Sequence, residues 1–367
     1  MRAWELDETD ADLRLVEVPD PQVRAGAALV DVLAVHVPAY TSVLTTGLRG
    51  SVPTPLVLGT GGVARVRSVA DDVFGLRAGD VVVNAGLLRS GDVTVPEEFI
   101  LSWTGIGGRG ERTADIARMQ AQWRDGTFAE RAVLPAQVLV RLPGAQDHPR
   151  PELLSVLPWL SIAAEGLIRG EQQPGDVVAV LGATGQLGGS AVLVGLARGA
   201  SQVVAVGRNR VALDRLAALD TRVATVPLTG DRAQDAAAIR AAGEPDLVLD
   251  ALGATSSAEP TLTGYDSLRP GGTLVLLGGV RHDLSLPYGH LMRRRQTVRG
   301  SWMARPETVS AVWRLVRSGA INLNQITVRT VGLDDPAAAL VLAARSSGLD
   351  FVVLAPQALG REQHEPK

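Results

Sequence analysis

The chain has 367 residues, of which 46% are hydrophobic and 20% charged, with a formal net charge of −3. That is enough apolar material for more than one buried core, and it matches neither a disordered chain nor a basic nucleic-acid binder. Cysteine is absent and lysine occurs once, at Lys367, which excludes disulfides, thiolate metal sites, a cysteine nucleophile, Schiff-base chemistry and a lysine-dependent phosphate loop.

Residues 1–8 are acidic and lack an apolar segment, so no secretory signal is expected there and a cytoplasmic setting is. Short runs over residues 13–18, 28–35, 62–69 and 80–83 alternate between turn-forming Gly, Pro and Asp, the texture of a β-rich unit. A less regular stretch over 84–125 contains a short helical pattern at 114–123, and strand-like alternation resumes over 127–134. From about residue 150, Val- and Leu-rich runs alternate with helical patterns, which predicts βαβ units and a parallel sheet. Strands are expected over 177–181, 203–206, 224–228, 247–252, 273–277 and 297–300, six in all, as a complete dinucleotide-binding sheet requires. The apolar run 177–196 is broken by five glycines and reads as a buried strand and helix rather than a membrane span. A helix over 306–318, a strand over 326–331, a helix over 335–344 and a strand over 350–354 form a tail that can return to the first unit.

The sharpest local signal is Val180-Leu181-Gly182-Ala183-Thr184-Gly185-Gln186-Leu187-Gly188, which follows a predicted strand and opens a predicted helix. Gly182 permits the tight turn, Gly185 lets backbone amides approach a pyrophosphate, and Gly188 lets helix and strand pack closely; the helix N-terminus adds partial positive charge. The next strand ends at Gly207-Arg208-Asn209-Arg210, where an acidic residue would hold the ribose of NAD. Arginine there favours the 2′-phosphate of NADP(H) by charge-assisted hydrogen bonds, the alternative being solvated arginines in an arginine-rich chain. Two more strand ends, Ala251-Leu252 and Leu277-Gly278-Gly279, complete the expected crevice, with the glycines letting backbone groups reach a nicotinamide.

With these pieces in order, the chain resembles the medium-chain dehydrogenase/reductase superfamily, specifically its zinc-free quinone-oxidoreductase-like branch. The matching pieces are Pro19-Asp20-Pro21, Pro55-Leu56-Val57-Leu58-Gly59, Leu76-Arg77-Ala78-Gly79-Asp80-Val81-Val82, Gly126-Thr127-Phe128-Ala129-Glu130, Pro174-Gly175-Asp176-Val177, the Gly182–Gly188 loop, residues 246–253 and Arg269-Pro270-Gly271-Gly272. The resemblance implies an α/β architecture: a GroES-like β-rich catalytic domain over 1–147 and 305–367, interrupted by a Rossmann NADP(H)-binding domain over 148–304. It further implies an active site between the two and frequent homodimers. The glycine loop also looks like that of atypical short-chain reductases, but it follows some 180 residues of another domain, and their catalytic lysine has no counterpart here.

Zinc-dependent members have Cys-x-Ser/Thr in the first cleft loop and Gly-His-Glu after the Pro-rich turn. Here the corresponding positions are Pro38-Ala39-Tyr40 and Gly59-Thr60-Gly61, and the five histidines are scattered without ligand spacing, so no metal is expected. Without a metal the protein must orient the substrate, stabilise charge on its oxygen and deliver a proton. Tyr40 and His36 are the candidate donors, the alternatives being a tyrosine that shapes the pocket and a buried, hydrogen-bonded histidine. Thr60, Trp103, Trp302 and Met303 are candidates for the substrate wall, with Trp123 a further one. The expected function is hydride transfer from NADPH to a conjugated C=C of a small hydrophobic enone or quinone, with carbonyl reduction and a non-catalytic NADP(H)-binding role as alternatives. No nucleic acid or membrane partner is expected.

Overall fold

The computed structural model describes residues 1–46, 53–94, 96–102 and 113–356. The first part is a succession of short strands, β1 (Arg2–Leu6), β2 (Arg14–Glu17), β3 (Ala27–His36), β4 (Leu56–Val57), β5 (Val63–Val69), β6 (Val81–Asn84), β7 (Leu87–Arg89), β8 (Glu98–Ile100), β9 (Arg131–Pro135) and β10 (Leu139–Arg141). Helix α1 (Thr41–Thr45) follows β3, and α2 (Ala114–Gln122) precedes β9. In β3 the residues alternate between buried and half-buried, as expected where one face meets a core. Strands β2, β1 and β4 form a small sheet; β10, β6, β5 and β3 form a larger one, with β9 also on β3.

The chain then enters α3 (Pro151–Leu154) and α4 (Leu157–Arg169), followed by β11 (Val177–Leu181), α5 (Gln186–Ala197), β12 (Gln202–Gly207), α6 (Arg210–Ala217) and β13 (Val223–Pro227). Next come α7 (Arg232–Ala242), β14 (Leu247–Asp250), α8 (Glu259–Ser267), β15 (Thr273–Leu276), α9 (Tyr288–Arg294) and β16 (Thr297–Gly300). The six strands form one parallel sheet in the order β13-β12-β11-β14-β15-β16, the doubly wound arrangement expected for 177–300. Helices on both faces explain why the central strands are continuous apolar runs, such as Val-Val-Ala-Val-Leu in β11. The segment Pro151–Arg169 is long and apolar enough to cross a membrane, but it lies mostly inside the fold (67% buried) and packs on α5.

After β16 the chain runs through α10 (Pro306–Arg317), β17 (Thr327–Val331), α11 (Pro336–Ala344) and β18 (Asp350–Leu354). Strand β18 pairs antiparallel with β3, Val353 opposite His36, so the C-terminal part joins the first sheet rather than the parallel one. Trp4 strengthens this return: it is fully buried, meets Phe128 edge-on at 5.5 Å, and donates its indole N–H to Leu333 O at 2.7 Å. Buried Glu165 of α4 ties α10 on, accepting from Arg305 Nε at 2.9 Å and from the Thr308 hydroxyl.

Several elements differ from the periodicity reading. Residues 127–130 are not strand, because the Thr127 hydroxyl donates to Gly59 O and Gly61 O and turns the chain. Strand β14 stops at Asp250, whose carboxylate accepts from Leu252 N two residues on. Strand β1 carries no strong turn signal before it and is defined by its pairing with β2 and β4.

Replacing Trp4 with Phe leaves Leu333 O without its donor and opens space beside Phe128. A loss of about 1–3 kcal/mol in urea unfolding is expected; an unchanged midpoint would show that the return segment is held without this bond.

Candidate active site

The glycine turn is built by close approach. Gly182 has φ +71°, and a Cβ there would lie 3.1 Å from Ala251 O. A Cβ on Gly188 would come within 2.1 Å of Gly182 O, so no side chain fits without moving backbone. Helix α5 begins after Gly185 with no side-chain cap, leaving its first-turn amides pointing out of the carboxyl end of β11. Neighbouring helix α6, by contrast, is capped by the Asn209 side chain, which accepts from Ala212 N at 3.1 Å. Asn209 is therefore occupied as a cap. Arg208 and Arg210 on either side of it are exposed, and neither has a hydrogen-bond or ion-pair partner among the described residues. They follow Gly207, which packs on the turn: a Cβ on Gly207 would meet Thr184 Cγ2 at 2.6 Å. The Ala183 and Gly185 amides are spent inside the fold, on Val206 O at 3.0 Å and Gly182 O at 2.9 Å; the uncapped first turn of α5 is what would fit the pyrophosphate of a dinucleotide.

The other strand ends are arranged differently from the expectation. Gly279 N–H donates to Leu252 O at 2.7 Å, and a Cβ on Gly278 would meet the same oxygen at 2.1 Å, so these glycines close the ends of β14 and β15 against each other. The Gly279 amide is therefore not free for a nicotinamide. Leu277 packs on α4, 3.1 Å from where a Gly166 Cβ would sit, and so belongs to the core under the site. Leu187 likewise packs against the core, and Leu252 leans on the opposite apolar layer. Asp250 is buried beneath, its carboxyl raised above the usual carboxylate range by burial, with its oxygens taking bonds from Thr261 Oγ1 at 2.5 Å and Leu252 N at 2.9 Å.

Beyond β16 lie Ser301, Trp302 and Met303. Trp302 is 41% exposed and Met303 adopts φ +55°, a left-handed conformation costing on the order of 1 kcal/mol or more in a non-glycine residue. The Ser301 hydroxyl is buried without a partner among the described residues. Being at the carboxyl edge of the sheet, it joins the candidate set, and no sequence pattern marks it. Trp103 lies outside the described residues. Trp123 is covered by the Arg24 guanidinium, 4.2 Å from its ring centre.

The first cleft loop meets the nucleotide turn at His36. Its ring is buried, with Nδ1 3.0 Å from Val352 O and Nε2 3.2 Å from Gln186 Oε1. Gln186 Nε2 donates to Asp350 O at 2.9 Å and to Ser346 Oγ at 3.2 Å, which turns its oxygen toward the ring. Both ring nitrogens thus face acceptors, while a neutral imidazole has one N–H. Phe351 lies 4.8 Å and Trp159 5.4 Å away, ring centre to ring centre, and no carboxylate is among the groups bonded to the ring. Burial lowers the His36 pKa to about 4 against the opposing effect of its two hydrogen bonds. Of the two sequence alternatives, a histidine titrating near neutrality gives way to a buried, neutral bridge between the cleft loop and the nucleotide turn. Gln186 acts in the same bridge, so its side chain is unavailable to a cofactor.

Tyr40, half-buried at the start of α1, tilts over Trp159 at 6.2 Å. The second loop arrives at the same place, since a Cβ on Gly61 would touch Pro158 Cγ at 3.4 Å, while Thr60 O abuts Gly86. Trp159, at the start of α4, therefore sits where both cleft loops meet, and no motif in the sequence points to it.

The alcohol dehydrogenase GroES-like domain family matches residues 24–144, and the zinc-binding dehydrogenase family matches residues 187–318. "Probable D-xylulose reductase A" of Arthroderma otae is 27% identical over 233 residues, covering 62% of this chain. The match spans 64% of that relative's own length. L-galactonate-5-dehydrogenase of Escherichia coli is 28% identical over 207 residues, 55% of this chain and 57% of that protein. Among solved structures, alcohol dehydrogenase TADH from Thermus sp. ATN1 superposes with a TM-score of 0.79 at 25% identity, covering 97% of this chain and all of the other (100%). A Sinorhizobium meliloti chain described as a zinc-binding dehydrogenase bound to NADP superposes with a TM-score of 0.77 at 20% identity, over 97% and 99% of the two chains. The zinc implied by the family description does not fit the residues present. Cysteine is absent, no group of three or more His, Asp or Glu among the described residues could hold a metal, and His36 is taken up by two oxygens and two aromatic rings.

The low His36 pKa gives a signed prediction. The unfolded chain protonates this ring near its ordinary value of 6.5 and the folded one near 4, so between them the unfolded state holds more protons and stability falls as pH drops. From pH 7 to pH 5 this group alone costs about 2 kcal/mol. Urea unfolding at both values should show a markedly smaller pH loss in His36→Gln; equal losses in variant and wild type would place the acid sensitivity elsewhere.

Proposed function

Because the chain belongs to the medium-chain dehydrogenase/reductase superfamily, we propose that it is an NADPH-dependent reductase that works without zinc on the conjugated C=C of an enone or quinone. The observation that carries this reading is the cleft itself, where a phenol, an indole and a neutral imidazole stand at the meeting point of the two loops. When bound, the nicotinamide supplies hydride. The protein's share is then to hold the acceptor flat, exclude water and place a proton donor by the substrate oxygen.

A neutral phenol suits an enolate. Adding hydride to the β-carbon moves an electron pair toward oxygen, and the resulting charge is shared between oxygen and the α-carbon. A hydrogen bond from Tyr40 supports that diffuse charge, and a proton from Tyr40 or water completes the saturated ketone. An alkoxide concentrates its charge on one oxygen and asks more of the same donor. The second reading, interconversion of a ketone and an alcohol, is favoured by what the relatives are named for, a xylulose reductase and a galactonate dehydrogenase.

The choice of NADPH rests on the absence of an acidic residue directly after β12 and on two exposed guanidiniums there, Arg208 and Arg210, that have no partner among the described residues. In Arg208→Ala, kcat/KM for NADPH should fall about 10- to 100-fold while that for NADH stays within a few-fold, as the loss of a charge-assisted bond predicts. A variant with unaltered preference would remove the 2′-phosphate assignment. Tyr40→Phe should lower kcat by about 10²-fold without changing NADPH affinity. Product analysis then decides between the readings: a saturated ketone from an enone supports the first, an allylic alcohol the second.

A further inference from the structure

Trp159 is set apart from the other core indoles. Trp4 and Trp313 each donate Nε1–H to a backbone carbonyl, of Leu333 at 2.7 Å and Pro143 at 3.1 Å, as buried indoles usually do. Trp159 makes no such bond among the described residues, and its ring is only half-buried. His36 meets it steeply at 79° and Phe351 at 73°, whereas Tyr40 is tilted at 45°. Behind it, buried His36 and Phe351 form an apolar wall that fixes the ring. His36 also connects this wall to Gln186 at the glycine turn.

We infer that Trp159 is the substrate platform of this cleft and that it selects a flat, conjugated or aryl-substituted carbonyl compound over a polyol or sugar. The inference rests on the reductase reading above and adds the substrate class. A planar π-system can stack on the indole and against Tyr40, and its single oxygen can take a hydrogen bond from the phenol or from the open indole N–H. A polyol brings several hydroxyls to a face made by the half-buried rings of Trp159 and Tyr40, with buried Phe351 and His36 behind it; such a face offers them few partners, and each hydroxyl left unpaired on desolvation weakens binding.

The test uses the full chain saturated with NADP⁺, so that no turnover occurs, and measures calorimetric binding of 4-phenylbutan-2-one and of D-xylulose. Wild type should bind the phenyl ketone more tightly than D-xylulose. Trp159→Leu should weaken the phenyl ketone about tenfold with NADP⁺ affinity unchanged, and Trp159→Phe should recover most of the loss. Equal phenyl-ketone affinity in Trp159→Leu and wild type overturns the inference, as does tighter binding of D-xylulose in wild type. Should the leucine variant fail to fold, the Trp159 indole N–H resonance in wild type, assigned by its loss in Trp159→Phe, decides: it moves on adding the ketone if the platform is real, and an unmoved signal overturns it. Enone turnover by wild type with NADPH is scored separately. Absent turnover with the binding pattern intact sinks the reductase reading alone; turnover without the pattern sinks the platform alone.

Discussion

Gln186 stands at the first position of the helix that follows the glycine turn, and its side-chain amide is where the two halves of the cleft are held in register. Its nitrogen donates to Asp350 O and Ser346 Oγ in the C-terminal return, and its oxygen faces His36 at the end of the longest strand of the first sheet. Because β18 also pairs with β3 next to His36, the parallel sheet, the return strand and the first cleft loop share one small network. A neutral imidazole has one N–H, so one of the two His36 contacts is a hydrogen bond and the other sets two acceptors side by side.

The groups gathered around this network set what the cleft can do. The nucleotide turn is shaped by missing side chains, with the Gly188 position closed to any Cβ by Gly182 O. The facing loops deliver aromatic rings where the family description would lead one to look for metal ligands. A site of this composition has weak, neutral hydrogen-bond donors and large flat apolar faces. In the reaction proposed above, both properties would suit a substrate whose developing charge is spread over several atoms and whose surface is mostly apolar. The same burial that makes His36 a poor acid at neutral pH makes it a good wall.

The arginines at the end of β12 show how a local signal and its surroundings combine. Their number is unremarkable in a chain with so many arginines, and Asn209 between them serves as a helix cap. Their candidacy comes from following Gly207, which packs on Thr184 of the turn, with no carboxylate to neutralise them among the described residues. A basic pair without partners at that point is an anion site in the making; the same pair within an ion-pair network would be surface charge.

Period and turn chemistry were enough to read six parallel strands, the helices between them and the glycine turn, because each depends on residues close together in sequence: apolar runs covered on both faces, and glycines where a Cβ would collide. The strand ends were legible to within a few residues, but the use of Gly278 and Gly279 was not, since it depends on Leu252 O arriving from a neighbouring strand. Nor could the sequence show that His36 has its nitrogens between Val352 and Gln186, 316 and 150 residues away, or that Trp159 lies between the two cleft loops. Those contacts are made by chain return and interunit packing, and the protonation of His36 and the exposed face of Trp159 follow from that packing alone.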